Sequence, residues 1–236
     1  IMALPRVNNP TFELELPSTG EKIKYRPFLV KEQKILLIAQ ESKDDGQIAN
    51  TISELVTACT FGKVDPKTAP MFDVEYIFLK VRTQSVGSKV EMVVTCPDDG
   101  KTTVPVKIDL DDINVTMTDD HTNEVMITDT IKLTFRYPIL EDMMDIDANS
   151  PEIERVLQIM SKCIQTFEYG DEVYQRSDVS EKEIEDFVGE LTTSQFEKLV
   201  EFFNTMPKLR HVITVTNPKT KKKNEVVLEG LQSFLE

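Results

Sequence analysis

A chain of 236 residues with 40% hydrophobic and 29% charged residues is long enough to bury a substantial core without disulfide or metal staples. Its 27 Lys and Arg against 41 Asp and Glu give a net charge of −14, which repels phosphate backbones and anionic lipid and argues against nonspecific nucleic-acid binding. Two histidines and three scattered cysteines, Cys59, Cys96 and Cys163, with no CxxC or HxxxH, spell no zinc motif.

The odd cysteine count and the lack of an apolar N-terminal stretch point to a reducing cytoplasm, and no apolar run approaches a membrane span. Met2 reads as the natural start, so Ile1 is set aside. The alternation of Phe12, Leu14 and Leu16, the turn Pro17-Ser-Thr-Gly20 and the resumed alternation through Tyr25 predict an antiparallel hairpin over 11–26. The spacing then becomes helical: 29–39, a second helix after Asp44 carrying Ile48, Ile52, Leu55, Val56 and Cys59, and a third over 72–84. Cys59, in step with Leu55, reads as a core thiol. A second hairpin is expected over 89–96 and 102–110, with Pro105 marking an edge or bulge. Short strands follow at 124–128 and 131–137.

Beyond Pro138, Ser150-Pro151-Glu152 reads as a helix start with Ser150 as cap, and Ile153, Val156, Leu157, Met160, Ile164 and Phe167 as one buried stripe ended by Tyr169-Gly170-Asp171. A short strand at most is expected at 172–175. The capping box Ser180-x-x-Glu183 opens one helix, and Thr192 or Thr193 opens the next, which Pro207 stops. A hairpin over 209–229 turns at 217–224, and Leu231, Phe234 and Leu235 are spaced for a terminal helical turn. The expected fold is α+β, antiparallel hairpins mixed with amphipathic helices. Two lobes are expected: 2–138, and a helical lobe over 139–236 that ends in a hairpin and a short helix.

Catalytic patterns are scarce. No GxGxxG, P-loop or GxSxG element occurs. His121 in Asp119-Asp-His-Thr-Asn123 reads as a solvated loop residue rather than a general base, and His211 beside Arg210 carries no catalytic context. Asp145-Ile-Asp147-Ala-Asn149 matches the opening of an EF-hand loop, but Ser150 stands where glycine is needed and Val156 where the bidentate glutamate belongs. An acidic metal-dependent enzyme using Asp145, Asp147 and Asn149 with calcium or magnesium is therefore the weaker alternative. Acid is concentrated at 98–124, 141–154 and 171–190, while base clusters at Lys219, Lys221, Lys222 and Lys223 on the expected hairpin tip. That tip reads either as a solvated turn or as a docking element for an acidic partner.

Several segments resemble a known family: Leu4-Pro5, the stretch from Pro10 to Gly20, Arg26-Pro-Phe-Leu-Val-Lys-Glu-Gln-Lys34 within 25–39, and Leu228-Glu-Gly-Leu-Gln-Ser-Phe-Leu235. Together they are similar to the baseplate hub proteins of T-even-like contractile-tailed bacteriophages, over nearly the whole chain. Relatives often carry cysteine pairs resembling a zinc ribbon in the hairpins corresponding to 91–107 and 212–228. Here only Cys96 remains, followed by Pro97-Asp-Asp-Gly100, and Asn217-Pro-Lys-Thr stands in the second hairpin; no metal or other cofactor is assigned. The resemblance implies a non-enzymatic structural or assembly role in the host bacterial cytoplasm, with the virion tail baseplate as a further location and other hub or tail proteins as partners. A transient tail-assembly chaperone is the alternative, and homo-oligomerisation stays open. The contact residues expected are Lys219, Lys221, Lys222, Lys223, Leu231, Phe234 and Leu235, together with the hairpin edge near Pro105.

Overall fold

The computed structural model describes residues 8–144, 146 and 150–234; Met2, Leu4, Pro5, Asp145, Asp147, Asn149 and Leu235 lie outside them. Among the described residues there are seven α-helices and eleven strands, and every strand pair is antiparallel. The α+β expectation holds. No helix among the described residues is long and apolar enough to cross a membrane.

Two compact units emerge, one formed by 1–116 with 208–236 and the other by 117–207. This division does not follow the expected cut near Pro138. Register is the reason: β5 (Asn114–Thr116) pairs with β10 (Lys208–Thr216), and β10 pairs with β11 (Lys223–Glu229), so the last hairpin belongs with the early residues.

In the first unit the hairpin of β1 (Phe12–Glu15) and β2 (Lys22–Tyr25) leads to α1 (Val30–Ser42), α2 (Asp45–Cys59) and α3 (Met71–Val86). The Asp44 carboxylate caps α2 by accepting from the Gln47 amide at 3.1 Å. Helix α3 is buried on most of its sides and takes Asp73, Glu75 and Thr83 inside along with its apolar residues. Its Val74, Ile77, Phe78 and Val81 join one core cluster with Leu14, Ile23, Leu36, Leu55 and Cys59. Leu79 joins a second cluster with Val90, Cys96, Leu110, Ile113, Leu209 and Leu228. That second cluster is walled by β3 (Lys89–Thr95), β4 (Thr103–Asp109), β10 and β11.

Three hairpin tips in this unit use the same turn, x-Pro-x-x followed by a left-handed residue. In each, the left-handed residue donates its amide to the first carbonyl: Gly20 to Leu16 at 2.8 Å, Gly100 to Cys96 at 3.0 Å and Lys221 to Asn217 at 2.9 Å. Their φ values are 70°, 63° and 62°. Lys221 holds a conformation that favours glycine.

The second unit is a four-stranded sheet of β6 (Glu124–Met126), β7 (Ile131–Phe135), β8 (Ile164–Tyr169) and β9 (Glu172–Gln175), in that order. It is joined by α4 (Leu140–Met144), α5 (Glu152–Cys163), α6 (Glu181–Gly189) and α7 (Thr193–Thr205). Here the sequence expectation needs correction. Ile164 and Phe167 do not continue the α5 stripe; they lie in β8, paired with β7, and Tyr169-Gly170-Asp171 turns β8 into β9. Pro151 rather than Ser150 occupies the α5 cap position, and Ile153 is exposed. The box Ser180/Glu183 caps α6 as expected, and of the two threonines it is Thr192 that caps α7, in a box with Gln195. The core gathers Leu133, Phe135, Met160, Cys163, Ile164, Ile184, Leu199 and Phe202.

Candidate partner-binding site

The four lysines of the basic tip, Lys219, Lys221, Lys222 and Lys223, are all exposed. The turn that carries them is held firmly from beneath. Asn217 is fully buried, and its side-chain Oδ1 accepts from the backbone amides of Lys219 at 2.8 Å and Thr220 at 3.2 Å. Its amide nitrogen donates to the Asp98 carboxylate at 2.9 Å, and the Thr220 hydroxyl donates to the other Asp98 oxygen. In return the Asp98 amide donates to the Asn224 side chain at 3.0 Å. The tips of β3–β4 and β10–β11 are thereby knit into one polar platform, and the hydroxyl and amide donors hold Asp98 below the usual carboxylate range.

Cys96, fully buried, sits in the core under this platform. Its hairpin persists through the backbone bond from its own amide to the Thr102 carbonyl at 2.7 Å and through Asp99, which accepts from the Thr102 amide at 2.9 Å. No group of three or more His, Cys, Asp and Glu among the described residues is arranged to hold a metal.

The terminal segment sits elsewhere than a partner-contact reading requires. Leu231 and Phe234 form the expected short turn, a 3-10 helix, but they are buried in the two cores of their own unit, so they serve internal packing rather than an exposed contact. The turn is anchored by the buried Glu75 of α3, whose carboxylate accepts from the Leu231 amide at 3.0 Å. Burial pushes the Glu75 carboxyl up to about 7, and the nearby Glu229 adds to this. Pro105 is exposed opposite Val93, which is 62% exposed. Midway along β10 and β11, Val212 and Val227 form an exposed cross-strand pair. His211, partly exposed, faces Leu228 across the ladder.

His121 is half-buried rather than freely solvated. Its ring stacks on Tyr137 and lies tilted against Phe202, with centroids 5.7 and 5.1 Å away, and Nδ1 lies 2.9 Å from the Thr205 hydroxyl. That hydroxyl already donates to the Glu201 carbonyl at 2.7 Å, so the network assigns the proton to Nδ1. Nε2 is then buried and lacks a partner among the described residues, and burial lowers the imidazole pKa.

One pattern escaped the sequence reading. Arg26 grips Glu32 through two hydrogen bonds of 2.9 Å; Glu32 also accepts from the Leu29 amide at 2.7 Å, and Arg26 donates to the Pro27 carbonyl at 2.9 Å. Arg136 grips Asp142 in the same way at 2.6 and 2.8 Å. Asp142 accepts from the Ile139 amide at 2.9 Å, and Arg136 donates to the Tyr137 carbonyl at 3.1 Å. The backbone amide of each arginine donates to a cysteine carbonyl at the end of a later helix, Cys59 at 3.0 Å and Cys163 at 2.8 Å. The Arg26 hydrogen bonds hold Glu32 low. Burial pushes Asp142 up, but Arg136 and the Ile139 amide outweigh it and hold the acid low. Each unit thus contains a hairpin, a bidentate clasp and a helix pair ending in a buried cysteine. The sequence signal was available: an arginine closing a strand, proline one or two residues on, and an acid six residues on.

No curated protein and no solved structure matches the chain. The family described as T4 bacteriophage base plate protein matches residues 9–236, a span that takes in both units, both clasps and the lysine tip. By that match over nearly its full length, the chain belongs to the T4 bacteriophage base plate protein family.

Proposed function

We propose that the chain is a non-enzymatic baseplate hub protein, acting in the host cytoplasm as a subunit or assembly factor that binds other hub or tail proteins. The observation that carries this reading is the lysine platform. Four exposed cations stand on a turn held by Asn217, Thr220 and Asp98, in a chain of net charge −14. A fixed cationic tip on an acidic protein orients an acidic partner and speeds encounter more than it adds affinity. Replacing Lys219, Lys221, Lys222 and Lys223 with glutamate should slow or abolish hub assembly in a reconstitution assay, with the effect largest at low salt. Unchanged assembly would remove the tip from the contact surface. Mass spectrometry of purified virions separates the two forms of the role: abundant peptides identify a subunit, whereas their absence identifies a transient chaperone.

A further inference from the structure

Helix α1 packs Glu32, Leu36 and Ala39 inward, yet its outer sides mix apolar residues with the exposed Lys31, Lys34 and Glu41. Val30 is 83% exposed, Leu37 52%, Ile38 49% and Ile35 48%. A surface helix ordinarily confines its apolar residues to one stripe, and a contiguous exposed apolar patch marks an interaction site. Between α1 and the end of α3 runs a groove of about 210 Å³ lined by Phe28, Gln33, Leu36, Leu37, Arg82 and Val86, with Gln40 at its rim. Val86 is itself half exposed.

The groove holds a cation without a counterion. Arg82 Nη1 is shut off from solvent and has no hydrogen-bond partner among the described residues. Burial draws its pKa down, and no neighbouring carboxylate opposes this. Arg26 and Arg136 are gripped by Glu32 and Asp142, whereas no carboxylate pairs with Arg82 among the described residues. An arginine keeps its charge at any physiological pH, and an unpaired charge in apolar surroundings is unfavourable until a partner supplies the anion.

We propose that this groove docks a segment of another baseplate polypeptide in which one carboxylate is flanked by apolar side chains. The acid pairs with Arg82 through the part of its side chain that lines the groove, the apolar neighbours lie against Leu37 and Val86, and the side-chain amides of Gln33 and Gln40 serve the segment's backbone. A bare polyanion does not fit, because the walls are apolar and the chain as a whole is acidic. The proposal rests on the assembly reading above but concerns a different face from the lysine tip.

The test uses the full-length protein made in infected cells, with p-benzoylphenylalanine in place of Leu37 and, separately, of Lys222. Cross-linked peptides are mapped by mass spectrometry. The expected result at Leu37 is an adduct with one baseplate protein, at a segment bearing Asp or Glu between apolar residues. It should fall at least tenfold in Arg82→Met and persist largely in Arg82→Lys, with thermal unfolding of both variants like the wild type. Leu37→Glu, at an exposed position, should give the same loss with the reporter moved to Val86, which keeps the test valid if Arg82→Met folds poorly. No adduct, an adduct only to a second copy of this chain, or one insensitive to both Arg82→Met and Leu37→Glu overturns the proposal. If Lys222 still reports contacts while Leu37 reports none, the groove alone is refuted; silence at both positions refutes the assembly reading as well.

Discussion

Glu75 makes the sharpest prediction about how the terminal turn is held. Its carboxyl ordinarily titrates near 4.5 and is pushed up to about 7 by burial. The folded chain therefore keeps the proton to higher pH than the unfolded chain, so unfolding above about pH 4.5 releases it. Stability must fall as pH rises through the window from about 4.5 to about 7 and then stay low. At roughly 1.4 kcal/mol per pH unit, the full loss is about 3 kcal/mol. Glu75→Gln keeps an oxygen to accept from the Leu231 amide, which sits 3.0 Å away, but removes the buried charge. Urea unfolding at pH 5 and pH 8 should show the wild type losing about 2.5 kcal/mol more than Glu75→Gln across that interval, since part of the full loss falls below pH 5. The neighbouring Asp73 carboxyl is also raised by burial, and comparison between variants cancels its share. Glu75→Leu should instead expose the Leu231 amide to rapid hydrogen exchange at every pH, because an orphaned buried donor costs about 1–3 kcal/mol. Parallel pH profiles for wild type and Glu75→Gln would refute the assignment of a buried, proton-holding carboxyl.

Two further outcomes follow from groups in the clasps and the second unit. Lowering the pH below about 6.5 should destabilise the second unit, because burial depresses the His121 pKa and only the unfolded chain takes up the proton. His121→Phe, which preserves the ring contacts with Tyr137 and Phe202, should flatten that acid limb in thermal melts, and an unchanged limb would show that His121 does not cause it. Glu32→Ala leaves the Arg26 guanidinium, 14% exposed in its side chain, without its partner and should cost about 3 kcal/mol; Asp142→Ala should act similarly through Arg136. Calorimetric losses below about 0.5 kcal/mol, the scale of exposed pairs, would mean that the clasps are ornamental.

Much of the fold was legible because the hairpins are short-range and three of the helices carry side-chain caps, at Asp44, Ser180 and Thr192. The turn chemistry of Pro17–Gly20 and Pro97–Gly100, the boxes at Ser180 and Thr192 and the stops at Gly62 and Pro207 all act within a few residues. The misread stretch is the one where a bulge imitates a helical spacing. Met160, Ile164 and Phe167 fit a helical stripe, but Ile164 and Phe167 lie in β8 opposite Phe135 and Leu133, and the register shift between them puts both on the core face of the sheet. Strand β5 was missed because its three residues gain their ladder only from β10, far along the chain. The spacing of Leu231 and Phe234 was read correctly, but an apolar stripe does not say whether it meets its own core or another protein. Their burial in the two cores answers that. His121 was misplaced because its polar sequence neighbours conceal the aromatic cluster that only tertiary packing brings to it. For the tip, sequence showed the charge, while the platform beneath it depends on the bond between Asn217 and Asp98 across two hairpins.

The interrupted first unit also sets an order of events on the ribosome. Residues 117–207 form a continuous unit and have all their partners as soon as they emerge. The earlier-made residues do not: Leu79, Leu110 and Ile113 wait for Leu209, Leu228 and Phe234 to cover them. Domains form as their chain becomes available, so the unit begun first is finished last. The lysine tip lies on the hairpin that completes it. A nascent chain that has not yet passed Glu229 therefore cannot display the tip on its platform, and any recruitment through it waits for both hairpins to be made.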